Sequence, residues 1–171
     1  QSLKSQSIET AVIMVPDGEE GMNLDTVKEI YDQLAEMGAD RSSILLALGG
    51  GITGDMCGYA AATYMRGISY IQVPTTLLSM VDSSIGGKTG VNISHGKNLV
   101  GAFKQPEMVI MSLNTLQTLP DEEILNGFGE LIKHGFIANA SLVEKIQTVG
   151  GDVADFQRPV LQAARSAQRE K

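Results

Sequence analysis

The chain has 171 residues and a mass of 18.2 kDa, with 43% hydrophobic and 19% charged residues. That is room for one domain and part of another, and too apolar a composition for wholesale disorder. A net charge of −7 and a pI of about 4.8 argue against a nucleic-acid surface, which needs a basic stripe. No apolar run approaches the ~20 residues of a membrane span, and the polar start QSLKSQSIET is not a secretory signal. The lone Cys57 can build neither an internal disulfide nor a cysteine zinc site. The expectation is a cytoplasmic protein with no nucleic-acid or membrane partner.

In chain order, AVIMV at 11–15 reads as a strand ended by Pro16-Asp17-Gly18. Residues 23–37 carry apolar side chains at helical spacing, with Asn23 to cap the start and Gly38 to stop the end. ILLAL at 44–48 is a continuous apolar strand of the kind buried on both faces. A helix over 54–66 follows the Gly49-Gly50-Gly51 turn, then strands at 69–73, closed by Pro74-Thr75-Thr76, and at 108–111. A long helix spans 120–137, with Thr118 and Asp121 spaced as in a capping box. Helices over 141–148 and 159–170 follow. The stretch 83–106, rich in glycine and lysine with little periodicity, is predicted as a long ordered loop of functional kind. Strand alternates with helix to residue 112 and helices dominate afterwards, which argues for a parallel α/β sheet followed by the start of a helical region.

The 19 glycines cluster among apolar runs, where they mark close backbone approach, often to phosphate. Gly49 to Asp55 (GGGITGD) follows a strand and opens a helix. It is not the GxGxxG fingerprint, and a tight strand–helix turn would also explain it. The context favours a nucleotide site. Asp55 either complements the helix dipole or hydrogen-bonds a ribose or nicotinamide group. Asp82 to Gly90 (DSSIGGKTG), continuing to His95-Gly96-Lys97-Asn98, lacks the GxxxxGK[ST] spacing of an ATPase loop. Lys88 and Lys97 suit an anionic ligand, and a solvated loop explains them equally well. Glu130, Lys133 and His134 share a helix face at i, i+3 and i+4. A carboxylate beside an imidazole can bind a metal, although a plain Glu–Lys helix pair is the commoner arrangement. Asn126, Gly127 and Gly129 are poor helix formers and point to close packing there. His95 reads as an exposed loop residue, and Cys57 and the eight methionines read as core.

Four words line up in order over 44–138: LLALGGGITGD, AATYMRGISYIQVPTTLLSMVDSSIGGKTGVN, GKNLVGAFKQP and LPDEEILNGFGELIKHG. VPDGEE at 15–20 extends them. The chain thereby resembles the 3-dehydroquinate synthase family of the shikimate pathway. Related sugar-phosphate cyclases share the scaffold but usually vary SSIGGKTG, and metal-dependent glycerol and alcohol dehydrogenases lack VDSSIGGKTG. The resemblance implies conversion of 3-deoxy-D-arabino-heptulosonate 7-phosphate to 3-dehydroquinate and phosphate. NAD is recycled within each turnover, and zinc or cobalt acts as Lewis acid on the hydroxyl that is oxidised. It also implies a homodimeric enzyme acting on a small sugar phosphate.

Residue by residue, the resemblance makes Gly50 and Gly51 the pyrophosphate turn. Asp55, Thr75, Thr76, Lys97, Thr115, Thr118 and the acidic Glu19 become NAD contacts. Arg66, Asp82, Lys88, Asn98 and Lys133 become substrate contacts, with Arg66 reaching the neighbouring subunit's site. Glu130 becomes a zinc ligand, against the commoner Glu–Lys reading. Met22 stands where the family has a lysine. The family's two zinc histidines fall beyond the last helix, and neither His95 nor His134 matches them. Lys171 aligns loosely with a substrate lysine. The implied architecture is an α/β, Rossmann-like NAD-binding domain with a parallel sheet over 1–118, lacking its first strands. Residues 119–171 begin a helical, metal-binding domain. The chain reads as an internal fragment of an enzyme or, alternatively, as a non-catalytic NAD-binding module.

Overall fold

The computed structural model describes residues 2–138, 140–147 and Val160. A helical turn, α1 (Ser2–Ser5), leads into an extended segment. AVIMV at 11–15 lies in that segment and is not a strand. Its alternation is real: Val12 and Met14 are exposed, while Ile13 and Val15 pack on the core. No described strand pairs with it, so the pattern yields an extended strap instead. Helix α2 (Leu24–Glu36) forms as its spacing requires. The Asn23 side chain accepts from the Thr26 amide at 2.9 Å, Gly38 leaves the helix at φ 71°, and Val27, Ile30 and Leu34 form the buried stripe.

Strand β1 (Ile44–Gly49), helix α3 (Gly51–Thr63) and strand β2 (Ser69–Pro74) make a parallel βαβ unit. The helix starts three residues earlier than the sequence suggests, because the glycines form its first turn. The burial expected for β1 is corrected. It is an edge strand, and Ile44, Leu46 and Leu48 are 58%, 44% and 61% exposed. Only the face turned to the core is covered.

The expected long loop over 83–106 is largely an antiparallel hairpin, β3 (Lys88–Ile93) and β4 (Gly96–Phe103). Its periodicity is hidden because glycines occupy the crowded inner positions. Gly90 and Gly101 are directly paired, and a methyl on Gly101 would run into the Thr89 carbonyl oxygen. The hairpin packs on α3. That close approach needs Gly58, where a Cβ would meet the Thr89 side chain and stand 3.1 Å from the Tyr70 hydroxyl. Strand β5 (Met108–Val109) then joins the other edge of β2, giving the order β1-β2-β5. It is shorter than the expected 108–111 because only Met108 and Val109 find ladder partners.

Helix α4 (Asp121–Ala138) and helix α5 (Ala140–Gln147) follow. Thr118 is not a cap. It ends a 3-10 turn over Leu113–Thr118, and the Pro120 carbonyl accepts the first bonds of α4, from the Glu123 and Ile124 amides. The expected helix over 159–170 lies outside the described residues apart from Val160. Among the described residues three apolar clusters hold the fold, the smallest of them Ala61, Ile68 and Tyr70; the two larger ones position the site. One joins α2, α3 and β3 through Val27, Ile30, Met56, Ala60 and Val91. The other joins Leu77, Met80 and Val81 to Leu131 and Leu142. The methionines divide: Met22, Met56 and Met80 are core and Met111 is partly buried against it, whereas Met14, Met37, Met65 and Met108 are exposed, because they fall on strap, helix-end and edge-strand positions. Among the described residues no helix is long and apolar enough to cross a membrane.

Candidate active site

A cleft of about 610 Å³ opens between α3, the hairpin and α4. Asp55 enters it from the first turns of α3 and Asp82 from a π-helical segment over Ser79–Ser83. Short π segments often sit at functional sites. Lys88 and Asn98 come from the hairpin, Lys133 and His134 from α4. Asn98 sits at φ 55°, a left-handed conformation that asparagine tolerates. The Asn92 side chain accepts from its amide at 2.9 Å.

Burial, with the Asp82 carboxylate behind it, pushes the Asp55 carboxyl up to about 7. The same surroundings push Tyr70 up to about 12, by burial first and then by Asp55 and Cys57. Tyr70 donates to the Lys104 carbonyl at 3.0 Å and so ties β2 to the end of the hairpin. Burial pushes the half-buried Cys57 up to about 11, which leaves it an unreactive thiol.

Asp82, Glu130 and buried His134 bring one donor atom each within 4.8 Å of one another. The sequence resemblance makes Glu130 a ligand and Asp82 a substrate contact, and sets His134 aside. The fold gathers all three. The signal for His134 is its i, i+4 spacing from Glu130, but the contribution of Asp82 depends on a turn some fifty residues away and has no sequence signature. Two carboxylates and an imidazole form a donor set that suits zinc or cobalt. Glu130 is also ion-paired with Lys133 one turn on.

Of the expected cofactor residues, Asp55 lines the cleft, Gly50 and Gly51 line a smaller cavity beside it, and the others line neither. Gly50 caps α3 with its backbone alone, and no side chain caps that helix. Such an N-terminus is suited to an anion. The Thr75 amide donates to the Gly49 carbonyl at 2.9 Å, and the Thr76 methyl faces Gly50. Gly50, Gly51, Gln72 and Ser84 enclose a small cavity here, and Ser83 lines both this cavity and the large cleft. Lys97 and Glu19, far apart in sequence, meet in an ion pair at 2.7 Å. Thr115 donates to the Ser112 carbonyl at 2.8 Å, and Thr118 is exposed. Arg66 is exposed after α3 at φ 69° and does not line the cleft. Lys171 lies outside the described residues.

A glycine turn at the carboxyl end of a parallel strand, beside a cleft carrying charged side chains, defines the class: an α/β protein of the kind that binds ligands at that edge of the sheet. The family model for the N-terminal region of 3-dehydroquinate synthase matches residues 12–126, and the chain belongs to that family. It is 55% identical over 140 residues to the 3-dehydroquinate synthase of Geotalea uraniireducens, covering 82% of this chain and 39% of the relative. Among solved structures, ValA from Streptomyces hygroscopicus, a 2-epi-5-epi-valiolone synthase with NAD+ and Zn2+ bound, matches 98% of this chain and 48% of its own. The TM-score is 0.87 at 30% identity. A 2-deoxy-scyllo-inosose synthase complexed with carbaglucose-6-phosphate, NAD+ and Co2+ matches 78% of this chain and 36% of its own, with a TM-score of 0.74 at 34% identity. The chain thus spans about two-fifths of the length of the curated relative.

Proposed function

We propose that the full-length protein converts 3-deoxy-D-arabino-heptulosonate 7-phosphate to 3-dehydroquinate and phosphate, with NAD and a divalent metal. The observation that carries this reading is the convergence of Asp55, Asp82, Lys88, Asn98 and Lys133 on one cleft beside the glycine turn. Residues 1–118 serve mainly the cofactor and 119–171 begin the metal-binding unit.

Gly50, Gly51, Asp55, Thr75, Thr76, Thr115, Thr118, Lys97 and Glu19 would hold NAD, which supplies a reversible hydride acceptor. Glu130, with Asp82 and His134 beside it, would hold zinc or cobalt, which supplies Lewis-acid polarisation of the reacting hydroxyl, and Asp82 would also contact the substrate. Lys88 and Lys133 provide positive charge for the substrate's carboxylate and phosphate. The Asn98 amide can both donate to and accept from ring hydroxyls. The Asp55 carboxyl, with its pKa pushed up to about 7, can take or release a proton near neutral pH. Arg66 serves the phosphate of a neighbouring subunit in a homodimer. The compartment is the cytoplasm.

The test is phosphate release from the heptulosonate substrate by the full-length protein. Release that requires both NAD and metal, and that is lost in Lys133→Ala and Lys88→Ala, is expected. A protein that binds NAD and metal tightly yet releases no phosphate would overturn the reading in favour of a non-catalytic NAD-binding module.

A further inference from the structure

Behind the glycine turn, three polar side-chain atoms are buried without a hydrogen-bond partner among the described residues: Gln72 Oε1, Ser83 Oγ and Ser84 Oγ. Gln72 is 5% exposed and Ser84 is 4% exposed. Leaving such groups unpaired costs about 1–3 kcal/mol each, so native proteins almost always pair them. All three line the same small cavity. Its open space is about 10 Å³, near the roughly 10–15 Å³ that one water needs.

The donor inventory selects the occupant. Gln72 Oε1 only accepts, whereas each serine hydroxyl can donate or accept. A phosphate oxygen only accepts, so it would leave Gln72 Oε1 unpaired. A water donates to Gln72 and one serine while accepting from the other.

The position matters as much as the count. Gln72 stands on the central strand β2, and its Nε2 lies 2.7 Å from where a Cβ on Gly54 would be. Ser83 Oγ lies 2.9 Å from the corresponding point on Gly51. Ser83 and Ser84 directly follow Asp82, and Ser83 also lines the large cleft. We propose that Gln72, Ser83 and Ser84 hold one internal water beneath the glycine turn. Through it Gln72 acts as a positioning residue, fixing the turn that carries Asp82 against the start of α3. The positioning half rests on the proposed NAD site; the water site does not.

The test uses the full-length protein. A crystal structure of the wild type at high resolution is expected to show a water within hydrogen-bond distance of Gln72 and at least one of the two serines. An empty or protein-filled cavity overturns the proposal. Calorimetric titration with NAD then compares the wild type, Gln72→Met, Ser84→Ala and the double variant. Each single change is expected to weaken NAD binding about fivefold, the ratio for one lost hydrogen bond. The double variant is expected to be no weaker than the weaker single, because one shared water can be lost only once. Additive losses, or unchanged NAD affinity in both singles, overturn the positioning role. Wild-type protein that fails to bind NAD at all would instead sink the functional reading and leave the crystallographic result standing.

Discussion

Replacing Asp55 by asparagine should stabilise the protein, and more so at high pH. Moving the carboxyl from 3.8 to about 7, at about 1.4 kcal/mol per pH unit, makes the ionised form cost about 4 kcal/mol in the fold. The folded pKa lies above the unfolded one. Between about pH 4 and pH 7 the native state therefore holds a proton that the unfolded chain has released, and stability falls as pH rises through that window. Below it both states are protonated and Asp55 contributes nothing; above it the cost is complete. The asparagine side chain never ionises, but its amide brings a buried donor that offsets about 1 kcal/mol. The expected gain for Asp55→Asn is about 3 kcal/mol at pH 8 and about 1 kcal/mol at pH 5. Urea unfolding of metal-free, cofactor-free protein at both pH values measures it. A variant no more stable than wild type at pH 8, or a gain that does not shrink toward pH 5, would refute the reasoning.

Three further outcomes follow from the geometry. Gly101→Ala places a methyl against the Thr89 carbonyl oxygen and should lower stability by about 3 kcal/mol, read as a fall in the urea midpoint. Glu130→Gln and His134→Ala should each weaken cobalt binding by about tenfold or more, measured by optical titration, while substitution of exposed His95 leaves it unchanged. The 171-residue chain should self-associate through the exposed Ile44, Leu46 and Leu48 face and the edge of β1. Leu48→Lys should reduce that association in light scattering.

Helix α2 is legible because every signal agrees: an apolar stripe, an asparagine cap and a terminal glycine. The βαβ unit is legible because β1 and β2 are short apolar runs closed by Gly49 and Pro74. The hairpin is not. Sequence periodicity reports side chains, and between Lys88 and Phe103 the packing is set by their absence. Gly90 faces Gly101, and Thr89 lies against Gly58. A strand whose inner positions are glycine presents no alternation to read. AVIMV fails in the opposite way. Its alternation is present and is used in packing, but a strand also needs a neighbour to bond, and that neighbour is a property of the fold.

The same distinction divides the site. Residues adjacent in sequence can be read together: Gly50 with Gly51, Glu130 with Lys133. What the sequence does not supply is the distance between elements. Asp82 reaches Glu130 and His134 only because Leu77, Met80 and Val81 bury themselves against Leu131, and Leu77 occupies the space where a side chain on Gly127 would otherwise sit. In the sequence that glycine is a poor helix former, and its reason is the close approach of these two segments. The apolar contact sets how near α4 comes to the π-helical turn, and this nearness is what turns a helix-face Glu–His pair and a remote aspartate into one candidate metal centre.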